Sequence, residues 1–268
     1  MSPRERLFDQ SYTGKHFVQL YKADEAALCN NVAQYICQGL RRGDGVLVVA
    51  TSGHHAMFSH CLDRFGVDLA DVLGSRQLVF WDAQQTLRQF MVDDQPDREC
   101  FEKVLRAAIR EVRPTGQAQS LRAYGEMVGI LWNARQYAAA IQLGRLWNKL
   151  LEQSGISLYC AYAIDIFDRD FDVSNLDVIL GAHTQLVPAQ PDGTLETAFN
   201  RSMDEVLGPR AEDMRKEMKA VRRPSARILP NAEYMVLWLR RNLPHQADQI
   251  AGRARHHYAL LSDAANTA

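Results

Sequence analysis

The stretch Val46-Leu-Val-Val-Ala50 decides the fold class of this chain. A continuous apolar run of this length, bounded by turn residues, is typical of a strand that is covered on both faces. Strands of this kind occur almost only in parallel sheets with helices on either side. The preceding segment, Arg41-Arg-Gly-Asp-Gly45, carries the glycines that end a helix. The sequence around this run therefore predicts a helix, a turn and a buried strand of a parallel sheet.

Strand-like and helix-like segments alternate on both sides of this run. The other strand-like segments are residues 16–21, 77–81, 120–124 and 157–164. Between them, apolar residues recur at helical spacing, as at Leu28, Val32 and Ile36 after Asp24. The alternation predicts an α/β fold, a three-layer, doubly wound and mostly parallel sheet with right-handed crossovers. From Leu195 onward only helical periodicity remains, so we expect a helical C-terminal extension.

The composition is that of an ordinary globular protein, since the 268 residues are 47% hydrophobic and 24% charged. The apolar runs are far shorter than the about 20 residues that cross a bilayer, and the first residues are too polar for a signal peptide. The five cysteines are widely spread and form no CxxC pair, which indicates reduced thiols. We expect a cytoplasmic protein with no membrane partner.

Charge is distributed unevenly along the chain. Residues 1–209 carry a net charge of −6, and residues 210–268 carry +5. A basic helical tail could contact an acidic partner, but a solvated amphipathic face is commoner, and we expect no direct nucleic-acid binding. In this tail, Trp238-Leu-Arg-Arg-Asn-Leu-Pro244 has the composition of a protein-binding segment. Packing of Trp238 on the body of the protein is the favoured alternative.

Ligands of open parallel sheets bind where strands end and helices begin. At these places the sequence supplies polar and aromatic side chains that could hold a small ligand: Tyr21, Lys22, Thr51, His54, Asp82, Tyr124, Glu126 and Tyr162. Each aromatic residue could instead belong to the core. Glu126 follows Tyr124-Gly125, where glycine would let a ligand approach the backbone, and is either a site residue or a helix cap.

The motifs of common enzymes and metal sites are missing from the sequence. The first strand-to-helix turn, Tyr21-Lys-Ala-Asp-Glu-Ala-Ala27, has no glycine and carries two carboxylates, unlike a phosphate cradle. His54-His55 with His60-Cys61 offers metal-ligand types, but adjacent histidines point in different directions on a helix. The acidic run at residues 165–172 lacks the glycine and spacing of a calcium loop. We therefore expect no enzyme activity, no cofactor and no metal.

A set of short motifs in a fixed order resembles one known family. The motifs are His16-x4-Tyr21, Gly39-Leu-x2-Gly43, Asp82, Arg122-Ala-Tyr-Gly-Glu-Met-Val128, Leu146-Trp-Asn148 and Leu158-Tyr-Cys-Ala-Tyr162. Together they resemble the MEDS domain, the methanogen/methylotroph DcmR sensory domain, from about Lys15 to Pro188. The resemblance implies a signal-sensing module, proposed to detect small hydrocarbon derivatives. Gly144 departs from the pattern, since an acidic residue is expected before Leu146-Trp147.

The layout from His16 to Asp82 also resembles the RecA-type core of the KaiC ATPases, with the glycine-rich loop replaced. We accordingly expect an N-terminal extension at residues 1–14, a sensory domain at 15–190 and a helical extension at 191–268. The leading hypothesis is a stand-alone, non-catalytic sensor that binds a small molecule, such as a small organic compound, and signals through a protein partner or homo-oligomerisation. The alternative is a nucleotide-binding protein or weak NTPase that uses Lys22 for phosphate charge and Glu126 to orient water. A third hypothesis is an interaction module without a ligand.

Overall fold

The computed structural model describes residues 15–21, 24–116, 120–168, 178–188, 193–221 and 231–266, so Lys22 lies outside the described residues. The strands in these ranges are β1 (His16–Leu20), β2 (Gly45–Ala50), β3 (Leu78–Asp82), β4 (Met91–Val92), β5 (Gln95–Pro96), β6 (Leu121–Gly125), β7 (Ser157–Tyr162) and β8 (Gln185–Leu186). The helices that precede the C-terminal part are α1 (Glu25–Arg41), α2 (Ser52–Arg64), α3 (Leu69–Gly74), α4 (Ala83–Arg88), α5 (Arg98–Glu111), α6 (Met127–Asn133) and α7 (Tyr137–Ser154), followed by a helical turn at 178–181. The C-terminal helices are α8 (Thr194–Leu207), α9 (Arg210–Ala220), α10 (Asn231–Asn242) and α11 (Pro244–Asn266).

Six strands form one parallel sheet in the order β3-β2-β6-β7-β1-β8. Every residue of β2 is buried, as its continuous apolar run predicts. The predicted α/β class, the parallel sheet with helices around it and the helical C-terminal part are confirmed. The likeness to the RecA-type core stays a prediction.

The two faces of the sheet belong to two separate cores, because successive side chains of a strand point to opposite faces. Val46 and Val48 of β2 enter one core, which contains the buried residues of α1, α2 and α3. Leu47 and Val49 enter the other core, which contains the buried residues of α4 to α11. Helices α1 to α3 thus pack on one face, and helices α4 to α11 belong to the core on the other face.

The change of face creates a crevice between two neighbouring strands. From β2 the chain runs through α2 and α3 to the edge strand β3, whereas from β6 it runs through α6 and α7 to β7 on the other side. Because β2 and β6 are adjacent, their carboxyl ends lie where the two connections diverge. This is the position at which open α/β sheets bind ligands.

The C-terminal helices pack against the body of the protein. Trp238 and Leu239 are 5% and 2% exposed and belong to the same core as the sheet, so packing explains this segment. Arg255 of α11 forms an ion pair with Asp165, and Arg240 donates a hydrogen bond to the carbonyl oxygen of Asp168. In the part of the chain that the structure describes, no helix is long and apolar enough to cross a membrane.

One predicted helix is shorter than its periodicity indicates. Between the strand-like segments 77–81 and 120–124, the sequence predicts a helix over residues 83–91, but α4 ends at Arg88, and Met91 pairs with Pro96 in an antiparallel hairpin. The hairpin turns at Asp93 and Asp94, which both have positive φ, as a two-residue type I′ turn requires. Aspartate tolerates this conformation better than most residues do. The local turn chemistry therefore overrides the helical periodicity.

Candidate functional site

Glu126 places a buried carboxylate at the carboxyl end of β6. The residue occupies the N-cap position of α6, but its side chain makes no capping hydrogen bond. Its Oε1 accepts a hydrogen bond from the backbone N–H of Thr51, and its Oε2 accepts one from Nδ1 of His54. Tyr124 Oη donates a further hydrogen bond to Oε2 at 3.1 Å. The helix-cap alternative is therefore wrong, because the carboxylate contacts the residues that follow β2 instead of the N–H groups of α6.

His54 lies in the first turn of α2 between two carboxylates. Its Nδ1 faces Glu126, and its Nε2 lies 3.3 Å from Oε1 of Glu25, the first residue of α1. Phe58 stacks on the imidazole at a centroid distance of 5.5 Å, and the Tyr21 ring meets it edge-on at 5.4 Å. Since both ring nitrogens face acceptor oxygens, the doubly protonated imidazolium satisfies both contacts.

The charges of this cluster stabilise one another. Burial alone would lower the pKa of His54, but the hydrogen bonds and charges of Glu126 and Glu25 outweigh burial and raise it. Burial alone would raise the pKa of Glu126, but the His54 contact and the Thr51 N–H outweigh burial and lower it. Glu126 and His54 therefore form a buried ion pair.

Two tyrosines complete the surroundings of this pair. Burial raises the pKa of Tyr124 well above its ordinary value, and the Glu126 charge adds to the effect, so the phenol stays protonated and donates. Burial likewise raises the pKa of Tyr21, with the charges of Glu126 and Glu25 adding to it. Both phenols are hydrogen-bond donors at any physiological pH.

The structure brings five of the predicted site residues together and separates two others. The residues of the cluster are Tyr21, Thr51, His54, Tyr124 and Glu126. The carboxylate of Asp82 instead accepts the N–H of Gln85 at 2.7 Å and caps α4. Tyr162 belongs to the core on the opposite face of the sheet, where its ring contacts Trp132 and His183.

Glu25 and Asp24 are site residues that the sequence analysis missed. The sequence indicates Asp24 as a helix cap and shows both residues as charges that would repel a phosphate at this turn, but it does not link them to His54 or Tyr258. In the structure, Glu25 reaches His54 with a side chain that is 58% exposed, so it is the solvent-facing end of the cluster. Asp24 caps α1 through the N–H of Ala27, and its second oxygen accepts a hydrogen bond from Tyr258 Oη at 2.8 Å. The start of α1 therefore contacts both the buried ion pair and the C-terminal helix α11.

Two other features of the sequence have structural roles. Gly125 does not open the backbone toward this cluster, because a Cβ there would meet Trp147 and Leu158 at ordinary contact distance on the other face. His55 packs on the ring of Phe80 at a centroid distance of 3.7 Å, so the histidines of α2 do not converge on one point.

One comparison with known proteins identifies a family for this chain. Residues 15–184 match the family described as MEDS: MEthanogen/methylotroph, DcmR Sensory domain. No curated protein and no solved structure matches the chain. The matched segment begins one residue before β1, includes both strands of the crevice and ends just before β8. It contains the whole Glu126–His54–Glu25 cluster and covers more than half of the chain. The chain therefore belongs to the MEDS family, and residues 15–184 are its sensory domain.

Proposed function

We propose that this sensory domain binds a small organic molecule with an acceptor oxygen at His54, and that binding is transmitted through the start of α1 to the C-terminal helix α11. The proposal rests on two adjacent residues at the start of α1, Asp24 and Glu25, which contact α11 and His54 respectively. Glu25 contacts Nε2 of His54, and Asp24 accepts the hydrogen bond of Tyr258.

The proposed ligand class depends on which of the two glutamate contacts of His54 a ligand can replace. Glu126 is buried, accepts three hydrogen bonds and cannot leave without exposing an unpaired charge. Glu25 is mostly exposed and makes a longer contact, so it can be replaced at low cost. An incoming oxygen acceptor would take its place at Nε2, with the rings of Tyr21 and Phe58 as apolar walls. A triphosphate fits less well, because Glu25 and Glu126 add negative charge.

The position of Glu25 next to Asp24 in the chain explains how ligand binding would change the contact with α11. A ligand that displaces this side chain changes the first turn of α1, whose N-cap, Asp24, also holds Tyr258. Binding thus favours a state in which the α11 contact is weaker, and a ligand shifts the equilibrium only by its different affinity for the two states. A protein partner or a second copy of the chain would then bind the exposed surface of α11.

A thermal-shift screen tests the binding step. The probes are formate, acetate and methanol, each with an oxygen acceptor, a chlorinated C1 compound without oxygen is the negative control, and ATP with Mg²⁺ forms a separate arm. A ligand at a hundredfold excess over its Kd adds about 2.7 kcal/mol to the free energy of unfolding. We expect a shift with a small organic probe, its loss in His54→Gln and its retention in His55→Gln, because His55 packs on Phe80 outside the cluster.

Two results would overturn the proposed site. A shift that His54→Gln leaves unchanged would place the ligand elsewhere, and a shift with ATP alone would favour the nucleotide-binding alternative. The transmission step has a separate readout, the amide hydrogen exchange of α11. We expect faster exchange in Tyr258→Phe and in the wild type with bound probe, and equal exchange with and without probe would contradict the transmission.

A further inference from the structure

Three metal-ligating side chains meet in the interior, away from the cluster at Glu126. His16 is the first residue of β1, Cys160 lies in the neighbouring strand β7, and His183 stands before β8 on the other side of β1. The three residues are 2%, 1% and 5% exposed. One ligand atom from each lies within 4.8 Å of the others. Cys160 Sγ is 3.2 Å from His16 Nε2.

Hydrogen bonds hold both imidazoles in the orientation of metal ligands. His16 Nδ1 lies 2.7 Å from Asn148 Oδ1, and His183 Nδ1 lies 2.6 Å from the carbonyl oxygen of Ile179. Because these oxygens accept, each Nδ1 carries the proton and each Nε2 keeps its lone pair. Metal-bound histidines are fixed in this way by an oxygen acceptor at the distal nitrogen.

One ligand atom of the cluster makes no hydrogen bond to the described residues. His183 Nε2 is buried and has no hydrogen-bond partner among the described residues. A buried polar atom in this condition costs about 1–3 kcal/mol, so such atoms are rare in folded proteins. His183 belongs to the same group as His16 and Cys160, with one ligand atom of each within 4.8 Å of the others, and a metal ion would satisfy this lone pair.

We propose that His16, Cys160 and His183 bind a single copper(I) ion in a three-coordinate site. Thiolate is a soft ligand that selects copper(I), and imidazole also suits copper. The charge balance favours copper(I) over zinc(II), because one thiolate neutralises a monovalent ion and leaves a divalent ion with one uncompensated charge. An uncompensated charge in a fully buried site is costly. Zinc would also need a fourth ligand, since its structural sites are tetrahedral.

Binding requires one proton to leave. The Cys160 S–H bond breaks, the sulfur binds copper(I), both Nε2 lone pairs complete the site, and the proton passes to solvent. No electron is transferred, because the ion enters and remains as copper(I).

A cavity beside the cluster offers the ion a path. The cavity has a volume of about 280 Å³ and is lined in part by Gly144, Asn148, Tyr162, Ile179 and Ala182. Asn148 and Ile179 are the residues that hold the two imidazoles, so the site lies one side chain behind the cavity wall.

The test is an anaerobic titration of the full chain with copper(I) in competition with a chromophoric copper(I) chelator. We expect one copper per chain, at least about 100-fold weaker binding in Cys160→Ser and in His183→Gln, and about 10–100-fold weaker binding in Asn148→Ala. Cys37→Ser is the matched control, because Cys37 is a buried free thiol in the core on the opposite face. Circular dichroism checks that each variant folds.

Three outcomes would overturn the proposal. These are no stoichiometric binding of copper(I), binding that Cys160→Ser retains, and tighter binding of zinc(II) in a parallel competition. If the variants fail to fold, X-ray absorption of the copper-loaded wild type decides instead. One sulfur and two nitrogen neighbours are expected, and a copper site without sulfur would exclude Cys160 as a ligand.

Discussion

Nδ1 of His54 donates a hydrogen bond to Oε2 of Glu126, and this contact ties the start of α2 to the residue that follows β6. Both side chains are buried, so the contact is an ion pair inside the protein whenever His54 is protonated. Such a pair adds little net stability compared with apolar packing, but loss of one partner leaves the other charge uncompensated. A buried pair at the carboxyl ends of β2 and β6 therefore supports the proposal that this cluster is the ligand site.

The two glutamates that flank His54 are expected to differ in their effect on stability. Glu126→Gln removes the buried partner, and we expect the free energy of unfolding to fall by about 3 kcal/mol. Glu25→Gln changes a side chain that is 58% exposed, and we expect a loss below about 1 kcal/mol. Urea unfolding at pH 6 measures both. If both variants lost the same free energy of unfolding, this would contradict the assignment of Glu126 as the buried partner and Glu25 as the exposed partner of His54.

The two adjacent histidines of α2 are expected to titrate on opposite sides of the ordinary value of 6.5. The pKa of His54 is raised, because the contacts with Glu126 and Glu25 outweigh burial. The pKa of His55 is lowered, because burial outweighs the charge of Asp82. NMR titration of the imidazole protons distinguishes the two rings. In Glu126→Gln we expect the His54 titration to move to lower pH while that of His55 stays in place.

The same pKa shifts predict the pH range in which the ion pair stabilises the fold. The raised pKa of His54 gives a contribution that is complete below pH 6.5 and is lost as the pH rises through the folded pKa. The lowered pKa of Glu126 gives a contribution that is present above pH 4.5 and is lost as the pH falls through the folded pKa. The pair is therefore most effective between pH 4.5 and 6.5. Unfolding at a series of pH values should show this window in the wild type but not in His54→Gln.

The sequence predicts the sheet well because buried strands and amphipathic helices leave strong local patterns. It predicts the carboxyl-edge residues for the same reason, since each follows its own strand. It does not predict which of them meet, because that depends on strand order and on the face that each side chain takes. Tyr124 and Tyr162 both stand near strand ends, yet they enter different cores.

The proposed copper cluster was beyond prediction for a related reason. His16 and Cys160 are 144 residues apart in the chain, and β1 lies between the strand of Cys160 and β8 in the sheet. His183 lies ahead of β8, a strand of two residues with no periodicity to detect. Pairing with β1 alone fixes its place, and this pairing is a tertiary event.

Two helical glycines are expected to respond oppositely to alanine. In Gly129→Ala of α6 the new Cβ would lie 2.6 Å from the carbonyl oxygen of Ala161, a backbone atom of β7 that cannot move aside. We expect a loss of about 1–3 kcal/mol from this overpacking. In Gly144→Ala of α7 the Cβ meets nothing within 4 Å, so we expect a gain of about 0.5–1 kcal/mol from helix propensity. Urea unfolding compares the two, and a Gly129→Ala variant as stable as the wild type would show that α6 does not pack this closely.

Glu233 of α10 is expected to make the protein less stable as the pH rises. The side chain is buried, its Oε2 has no hydrogen-bond partner within the described ranges, and burial raises its pKa to about 7. The folded chain therefore holds a proton between pH 4.5 and about 7 that the unfolded chain releases, so the free energy of unfolding falls across this range. The fall amounts to about 3 kcal/mol.

The isosteric variant Glu233→Gln separates this effect from packing. Glutamine fills the same space without titrating, so the variant should match the wild type at pH 5 and exceed its free energy of unfolding by up to about 3 kcal/mol at pH 8. Glu217→Gln on α9 is the control, because Glu217 is exposed, and we expect no comparable pH dependence. Urea unfolding at both pH values measures all three proteins. A Glu233→Gln variant that gains nothing at pH 8 would mean that the carboxylate is ionised and paired in the folded protein.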